Sequence, residues 1–143
     1  MSDSKKQLDT LLIQIAAQGG SDLHLSVGRH PTARVGGDLA PMGQEAVLEP
    51  KSVEDMILSI LTEDQKVRFI RDRAVDFSYF VEDKARFRVN AFFQRGFVSA
   101  AFRLIPVEIP KIEELNLPPI LGEFARRPQG FFLVVGPTGH GKS

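Results

Sequence analysis

The chain has 143 residues, of which 43% are hydrophobic and 25% charged, as is ordinary for a soluble globular protein. Its 18 basic and 18 acidic side chains balance, so composition gives no reason to expect nucleic acid or a charged membrane surface as a partner. The absence of cysteine excludes disulfides and thiolate metal sites. The N-terminus does not resemble a signal peptide, and no apolar run approaches the roughly 20 residues that span a bilayer. We therefore expect a cytoplasmic protein.

The first part of the chain predicts a helix followed by a strand and a hairpin. Apolar residues recur at helical spacing from Leu8 to Ala16, and two glycines end the helix. Residues 22–27 alternate polar and apolar side chains, which is typical of a half-buried strand. Gly36 and Gly37 then predict a chain reversal between two short extended segments.

Two further helices and three strands are predicted next. Pro50 begins one helix, and the capping box at residues 62–65 begins another, with Val67 and Ile70 expected to point inward. Three antiparallel strands follow, joined by connections short enough for hairpins: residues 75–81, 85–93 and 97–104. A small antiparallel sheet with helices packed on it indicates an α+β first domain over residues 1–105.

The remaining residues predict a linker and the start of a second domain. Prolines punctuate residues 106–119, which suits a stiff linker. A short helix is predicted over residues 120–125. The apolar run Phe131–Val135 then predicts a buried strand, so residues 120–143 are interpreted as the beginning of an α/β domain.

A phosphate-binding motif follows that apolar run. Residues 136–143 fit G-x-x-x-x-G-K-[ST], the P-loop, whose glycines let backbone N–H groups point at phosphate oxygens. Lys142 would neutralise the β- and γ-phosphates, and the Ser143 hydroxyl would ligate Mg²⁺. The predicted nucleotide-binding residues are Gly136, Pro137, Thr138, Gly139, His140, Gly141, Lys142 and Ser143.

The end of the chain carries a prediction of its own. A P-loop normally opens a helix, and the acidic residue that completes the Mg²⁺ site would follow it. We therefore expect the front part of a longer nucleotide-hydrolysing protein, with catalytic residues downstream of Ser143 and no ATP turnover by these residues alone. The strand over residues 129–135 would lack its sheet, so it is expected to be disordered, to pair with another chain, or to pack on the first domain.

A second candidate site is an acid-free hairpin with several basic residues: Lys84, Arg86, Arg88, Arg95 and Arg103. Strand alternation places Arg86, Arg88 and Arg103 on one face and apolar side chains on the other. Guanidinium groups bind phosphate in bidentate fashion, so the arginine face could hold a triphosphate.

Two other interpretations of this hairpin remain open. The arginines could form a solvated strand face, or they could pair with acidic side chains such as Asp22 within the chain or across subunits. The histidines show no metal-ligand spacing, and His24 is predicted to be a hydrogen-bonded structural residue.

Five motifs occur in order along the chain: Gly20–Ser26 (GSDLHLS), Arg34–Asp38 (RVxGD), Arg86–Asn90 (RFRVN), Ala101–Pro106 (AFRxIP) and the P-loop. Together they are similar to the N-terminal part of the type IV pilus retraction ATPases, the twitching-motility (PilT-type) branch of the secretion ATPase superfamily. The family's Asp box, His box and Walker B segment do not occur within the chain.

The resemblance implies a PAS-like N-terminal domain, a linker and a RecA-like ATPase core cut after its first strand and P-loop. It implies a homohexameric motor that powers pilus retraction and twitching motility, peripherally associated with the cytoplasmic face of the inner membrane and with a pilus inner-membrane platform protein. ATP and Mg²⁺ would lie between the two domains, and Arg86, Arg88 and Arg103 are the candidates to reach its phosphates.

Other functions stay open at this stage. A pilus-assembly or type II secretion ATPase commonly carries a four-cysteine zinc element in the second domain. A non-catalytic PAS-like interaction module would lack a Walker B acid. A generic P-loop kinase is disfavoured, because it leaves the first 105 residues unexplained.

Overall fold

The computed structural model of the chain describes residues 3–82, 84–106 and 111–137. The chain divides into two compact units, Met1–Val107 and Glu108–Ser143. The first unit carries a β-sheet with helices, and the second carries a short helix.

The elements of the first unit follow the predicted order. The helices are α1 (Asp3–Ala17), α2 (Pro50–Leu58) and α3 (Glu63–Asp72). The strands are β1 (Gly20–Leu25), β2 (Thr32–Val35), β3 (Asp38–Pro41), β4 (Ala74–Val81), β5 (Ala85–Gln94) and β6 (Phe97–Ile105). Within the described residues they form one antiparallel sheet in the order β3-β2-β1-β6-β5-β4.

Alternation along the strands separates the two faces of this sheet. On β5, Phe87, Val89 and Ala91 are buried, while Arg86 and Arg88 are exposed. Helices α1 and α2 bury their apolar faces together with this side of the sheet, because a helix with apolar residues every third or fourth position must cover that stripe. The α+β class predicted from the sequence is confirmed.

Helix α3 begins as predicted but buries a different face. The capping box is present: Gln65 N donates to Thr62 Oγ1 at 3.3 Å, and Thr62 N donates to Gln65 Oε1 at 2.9 Å. The prediction that Val67 and Ile70 point inward is wrong, since these side chains are 65% and 67% exposed. Phe69 is fully buried instead, because the helix turns its largest apolar side chain toward the sheet.

The second unit forms one predicted element and lacks another. Helix α4 (Ile120–Ala125) matches its predicted bounds. The apolar run Phe131–Val135 does not form the predicted buried strand, and Phe131 is 89% exposed. A strand needs a neighbour to satisfy its backbone groups, and among the described residues none pairs with this run.

Candidate functional site

Charged side chains line up across the outer face of the sheet. Asp22 on β1 pairs with Arg34 on β2 and with Arg103 on β6. Arg103 pairs in turn with Arg88 on β5, and Arg88 pairs with Ser78 on β4. Strand residues that are direct partners place their side chains on the same face, so these five residues form one row across the sheet.

A groove of about 370 Å³ lies over this row, and we call it the arginine groove. Its lining residues are Asp22, His24, Asp76, Arg88, Asn90, Ala101, Phe102 and Arg103. The groove brings together two of the three arginines that the sequence singled out.

Asp22 is the buried acid of the groove, at 7% exposure. One carboxylate oxygen, Oδ1, accepts a hydrogen bond from Arg103 Nε at 3.0 Å. The other, Oδ2, accepts from Ser21 Oγ at 2.8 Å and lies 3.5 Å from Arg34 Nε. Burial alone would raise the pKa of Asp22, but the hydrogen bonds from Ser21 and Arg103 and the nearby positive charge together lower this pKa below its usual value. Asp22 is therefore a fixed negative charge that orients the arginines on either side.

Arg103 keeps its outer edge available. It bonds Asp22 through Nε alone, and its side chain is 75% exposed. Nη1 and Nη2 make no hydrogen bond to any residue in the described part of the chain. These are the two nitrogens that form a bidentate contact with a phosphate or carboxylate.

Arg88 is held less tightly than Arg103. Its Nη2 lies 3.8 Å from Asp76 Oδ1, and both side chains are well exposed, so the ion pair is weak. Asn90 Nδ2 donates to Asp76 Oδ2 at 3.2 Å and shares this acid with Arg88. The pairing of groove arginines with acids of the same chain, left open by the sequence, therefore occurs at Asp22 and Asp76.

Arg86 lies outside the arginine groove. Its guanidinium carbon is 5.1 Å from the centre of the Phe80 ring, and its Nη2 is 3.5 Å from Ser78 Oγ. Of the three candidate arginines, only Arg88 and Arg103 line the arginine groove as the structure describes it.

Only the first two residues of the P-loop motif belong to the described residues. Gly136 and Pro137 are exposed and lie outside helices and strands. Thr138, Gly139, His140, Gly141, Lys142 and Ser143 lie outside the described residues. Nucleotide binding by these residues and Mg²⁺ ligation by Ser143 stay predictions.

The described ranges lack two other kinds of functional feature. No cluster of histidine or acidic side chains there could hold a metal ion. None of the helices in those ranges is both long enough and apolar enough to cross a bilayer.

His24 and Asp76 are groove residues that the sequence reasoning did not assign to the site. His24 lies on the same face of β1 as Asp22, a signal that alternation contains. Their proximity to the arginines depends on which strands are neighbours, which alternation does not reveal.

Comparison with known proteins gives close relatives. No protein-family model matches the chain. It is 43% identical over 133 residues to PilT, a type IV pilus retraction ATPase of Pseudomonas aeruginosa, covering 93% of this chain and 38% of that protein. It is 35% identical over 137 residues to the type IV pilus ATPase PilU of the same organism, covering 96% of this chain and 36% of PilU.

A solved structure agrees with these sequence matches. The fold matches the pilus retraction motor PilT with bound ADP at a TM-score of 0.81 and 34% identity, over 94% of this chain and 39% of that one. The chain thus has the fold of part of a pilus-associated ATPase. More particularly, it is similar to the type IV pilus retraction ATPase PilT and to PilU, and the resemblance predicted from its motifs is confirmed. It spans less than two fifths of the length of the curated relatives it matches, at 38% and 36%.

Proposed function

We propose that this chain is part of an ATP-hydrolysing motor that powers type IV pilus retraction and twitching motility. The observation that carries the proposal is the 43% identity to a pilus retraction ATPase over 93% of the chain. The arginine groove supports the chemistry, because it offers the exposed guanidinium groups of Arg88 and Arg103 to an anion.

In this proposal ATP binds to the P-loop, with Lys142 on its phosphates and Mg²⁺ held by Ser143. Arg88 and Arg103 contact the same phosphates, and Arg86 does not. The negative charge of a triphosphate bound between the two guanidinium groups would offset their mutual repulsion. Binding of ATP would therefore pull the arginine face toward the nucleotide, and hydrolysis would release that face again.

The assembly belongs to the same proposal. The full-length protein acts as a homohexamer at the cytoplasmic face of the inner membrane, with a pilus platform protein as its partner. Walker B and the catalytic acid lie outside these 143 residues, so the chain alone is expected to be inactive. In the same proposal the first unit is a PAS-like domain, and residues 106–119 link it to the ATPase core.

The arginine assignment is tested by ATPase kinetics of the full-length protein with Arg88→Gln, Arg103→Gln and Arg86→Gln. We expect the first two to lower kcat about tenfold or more, since one charge-assisted contact amounts to roughly 1.4 kcal/mol or more. Arg86→Gln and the matched control Arg68→Gln, on helix α3, should stay near wild type. Wild-type rates in all variants would refute the arginine contacts.

The direction of the motor needs a cellular measurement. In cells lacking their own retraction ATPase, the full-length protein should restore twitching, and Lys142→Gln should not. A pilus-assembly or other pilus ATPase is the second candidate, favoured by the 35% identity to PilU. Normal ATPase activity without restored twitching would select it.

A further inference from the structure

A second basic groove lies beyond the C-terminal end of β1, where the β5–β6 turn approaches the loop after β1. It encloses about 230 Å³, and we call it the turn groove. Its lining residues are Ser26, Val27, Arg29, Gln94, Arg95, Phe97 and Ser99. None of them is acidic, and none lines the arginine groove.

Arg29 is anchored through its backbone. Its N–H donates to Ser26 O at 3.3 Å, closing a turn in which Gly28 has a φ of 78°, as a type II turn requires. Gly28 N donates to Leu48 O at 2.8 Å, and Leu48 N donates to Arg29 O at 2.9 Å. Leu48 is buried, so the core fixes this loop.

Arg95 occupies an unusual backbone position for its residue type. Arg95 and Gly96 connect the paired residues Gln94 and Phe97, and their φ angles are 51° and 86°. Positive φ at both central residues is the type I′ hairpin geometry, which favours Asn-Gly. An arginine costs conformational energy there, and such strained positions concentrate at functional sites.

The hydroxyl groups of the turn groove complete its donor set. Leu25 pairs with Ala100, so Ser26, which follows Leu25, lies beside Ser99 at the mouth of the sheet. Ser99 is only 2% exposed. A hydroxyl that lines a groove can donate a hydrogen bond to a ligand bound there.

The charge of the turn groove is uncompensated. No carboxylate of the described residues forms an ion pair with Arg29 or Arg95. Arg88 and Arg103 in the arginine groove differ in this respect, because each has an aspartate partner.

We propose that the turn groove binds the phosphate group of a ligand, with Arg29 and Arg95 as its cations and Ser26 and Ser99 as hydroxyl donors. Two planar guanidinium forks can each bind two oxygens of a tetrahedral phosphate group, which a single carboxylate cannot offer to both. Both arginines lie in turns whose backbone is already fixed, so binding a ligand costs little additional backbone entropy. The phosphate comes either from a free polyphosphate or from a lipid headgroup.

The first test titrates the 143-residue chain with pyrophosphate and follows backbone amides by NMR. We expect shifts at Ser26, Arg29 and Ser99, and a loss of affinity of about tenfold in Arg29→Gln and in Arg95→Asn. Arg95→Asn keeps the preferred turn chemistry, so its loss cannot be ascribed to misfolding. Arg68→Gln removes the same charge from helix α3 and should bind like wild type.

The second test measures sedimentation with vesicles of phosphatidylglycerol, with phosphatidylcholine vesicles as the neutral control. Binding to phosphatidylglycerol that is lost in Arg95→Asn identifies a lipid headgroup as the source, and binding of pyrophosphate alone identifies a free phosphate. The proposal is overturned if neither probe acts on the turn groove, or if Arg29→Gln and Arg95→Asn bind as Arg68→Gln does. Neither test depends on Arg88 or Arg103, so failure leaves the proposed ATPase function standing.

Discussion

Arg88 and Arg103 are direct cross-strand partners on the outer face of the sheet, so two side chains of like charge stand next to each other. Like charges in this position destabilise a sheet. Each has an acid on its far side: Asp76 Oδ1 is 3.8 Å from Arg88 Nη2, and Asp22 Oδ1 is 3.0 Å from Arg103 Nε. The stability of the sheet and the affinity of the arginine groove for anions are therefore linked.

Arg88→Gln is expected to leave the free energy of unfolding unchanged or to raise it by up to about 1 kcal/mol. The change removes the repulsion from Arg103 and loses only an exposed ion pair. Urea denaturation measures the difference, which should shrink at high salt because salt screens exposed charges. Arg68→Gln serves as the control for the loss of one charge. A destabilisation well above 1 kcal/mol at low salt would contradict this prediction.

Asp22→Asn is expected to lower the free energy of unfolding at neutral pH by about 1–3 kcal/mol, because the buried carboxylate accepts charge-assisted bonds. The folded pKa of Asp22 lies below the unfolded value of about 3.9. Its stabilising effect is thus present above that pH and is lost as the pH falls through the folded pKa. The gap between wild type and variant should therefore narrow on acidification.

Denaturation series at neutral and acid pH check the behaviour of Asp22→Asn. Asp55→Asn is the matched control, since it removes an exposed i,i+4 ion pair with Lys51 that contributes little. If the two variants have equal effects, or if the gap stays constant with pH, Asp22 does not act as a buried anion.

Tyr79 is expected to titrate above its ordinary pKa of about 10. Burial raises this pKa first, and donation of the phenol hydrogen to Asp9 Oδ1 at 2.6 Å raises it further, against the opposing bond from Lys5. Stability from this group is thus complete below pH 10 or so and is lost as the pH rises through the folded pKa.

Ultraviolet titration measures Tyr79 alone, because the chain has one tyrosine and no tryptophan. Tyr79→Phe should lower the free energy of unfolding at neutral pH by about 1–2 kcal/mol, since it removes the hydroxyl from the bond network with Asp9. A titration midpoint at the ordinary value would show that the network does not persist in solution.

Gly20→Ala is expected to destabilise the first unit by about 1–3 kcal/mol through overpacking. An added Cβ would lie 2.7 Å from Ile15 Cγ2 and 3.1 Å from the Arg34 carbonyl oxygen. Gly43→Ala is the control, because nothing lies within 4 Å of its added Cβ. Thermal unfolding of both variants decides the point, and equal midpoints would disprove close packing of α1 on β1.

Local patterns predicted most of the fold. Apolar periodicity located α1 and α2, the capping box at Thr62 located the start of α3, and two short connections predicted the β4–β5–β6 hairpins. The predicted orientation of helix α3 was wrong. Val67 and Ile70 share a face of the helix, and periodicity alone did not weigh them against the larger Phe69, which is the buried residue. Such choices depend on the partner surface.

The sequence predicted the arginines of the candidate site but not which acidic side chains lie beside them. Alternation placed Arg88 and Arg103 on one face, and the structure agrees. It could not place Asp22 beside Arg103, since their strands are far apart in the chain and β1–β6 pairing is set by the whole sheet. The run Phe131–Val135 has the composition of a buried strand, but composition cannot supply the neighbours that a strand needs.

The position of β1 between β2 and β6 sets an order of events in folding. Strands β4, β5 and β6 are joined by tight turns and can form early, whereas Asp22 and Arg103 must meet across 81 residues. On the ribosome the β1–β3 segment emerges long before β6, and one edge of β1 stays without a partner until then. We therefore expect the pairing of β1 with β6 to form last and to be the slow step of folding. Until it forms, the unpaired edge of β1 is the part of the nascent chain most prone to aggregate.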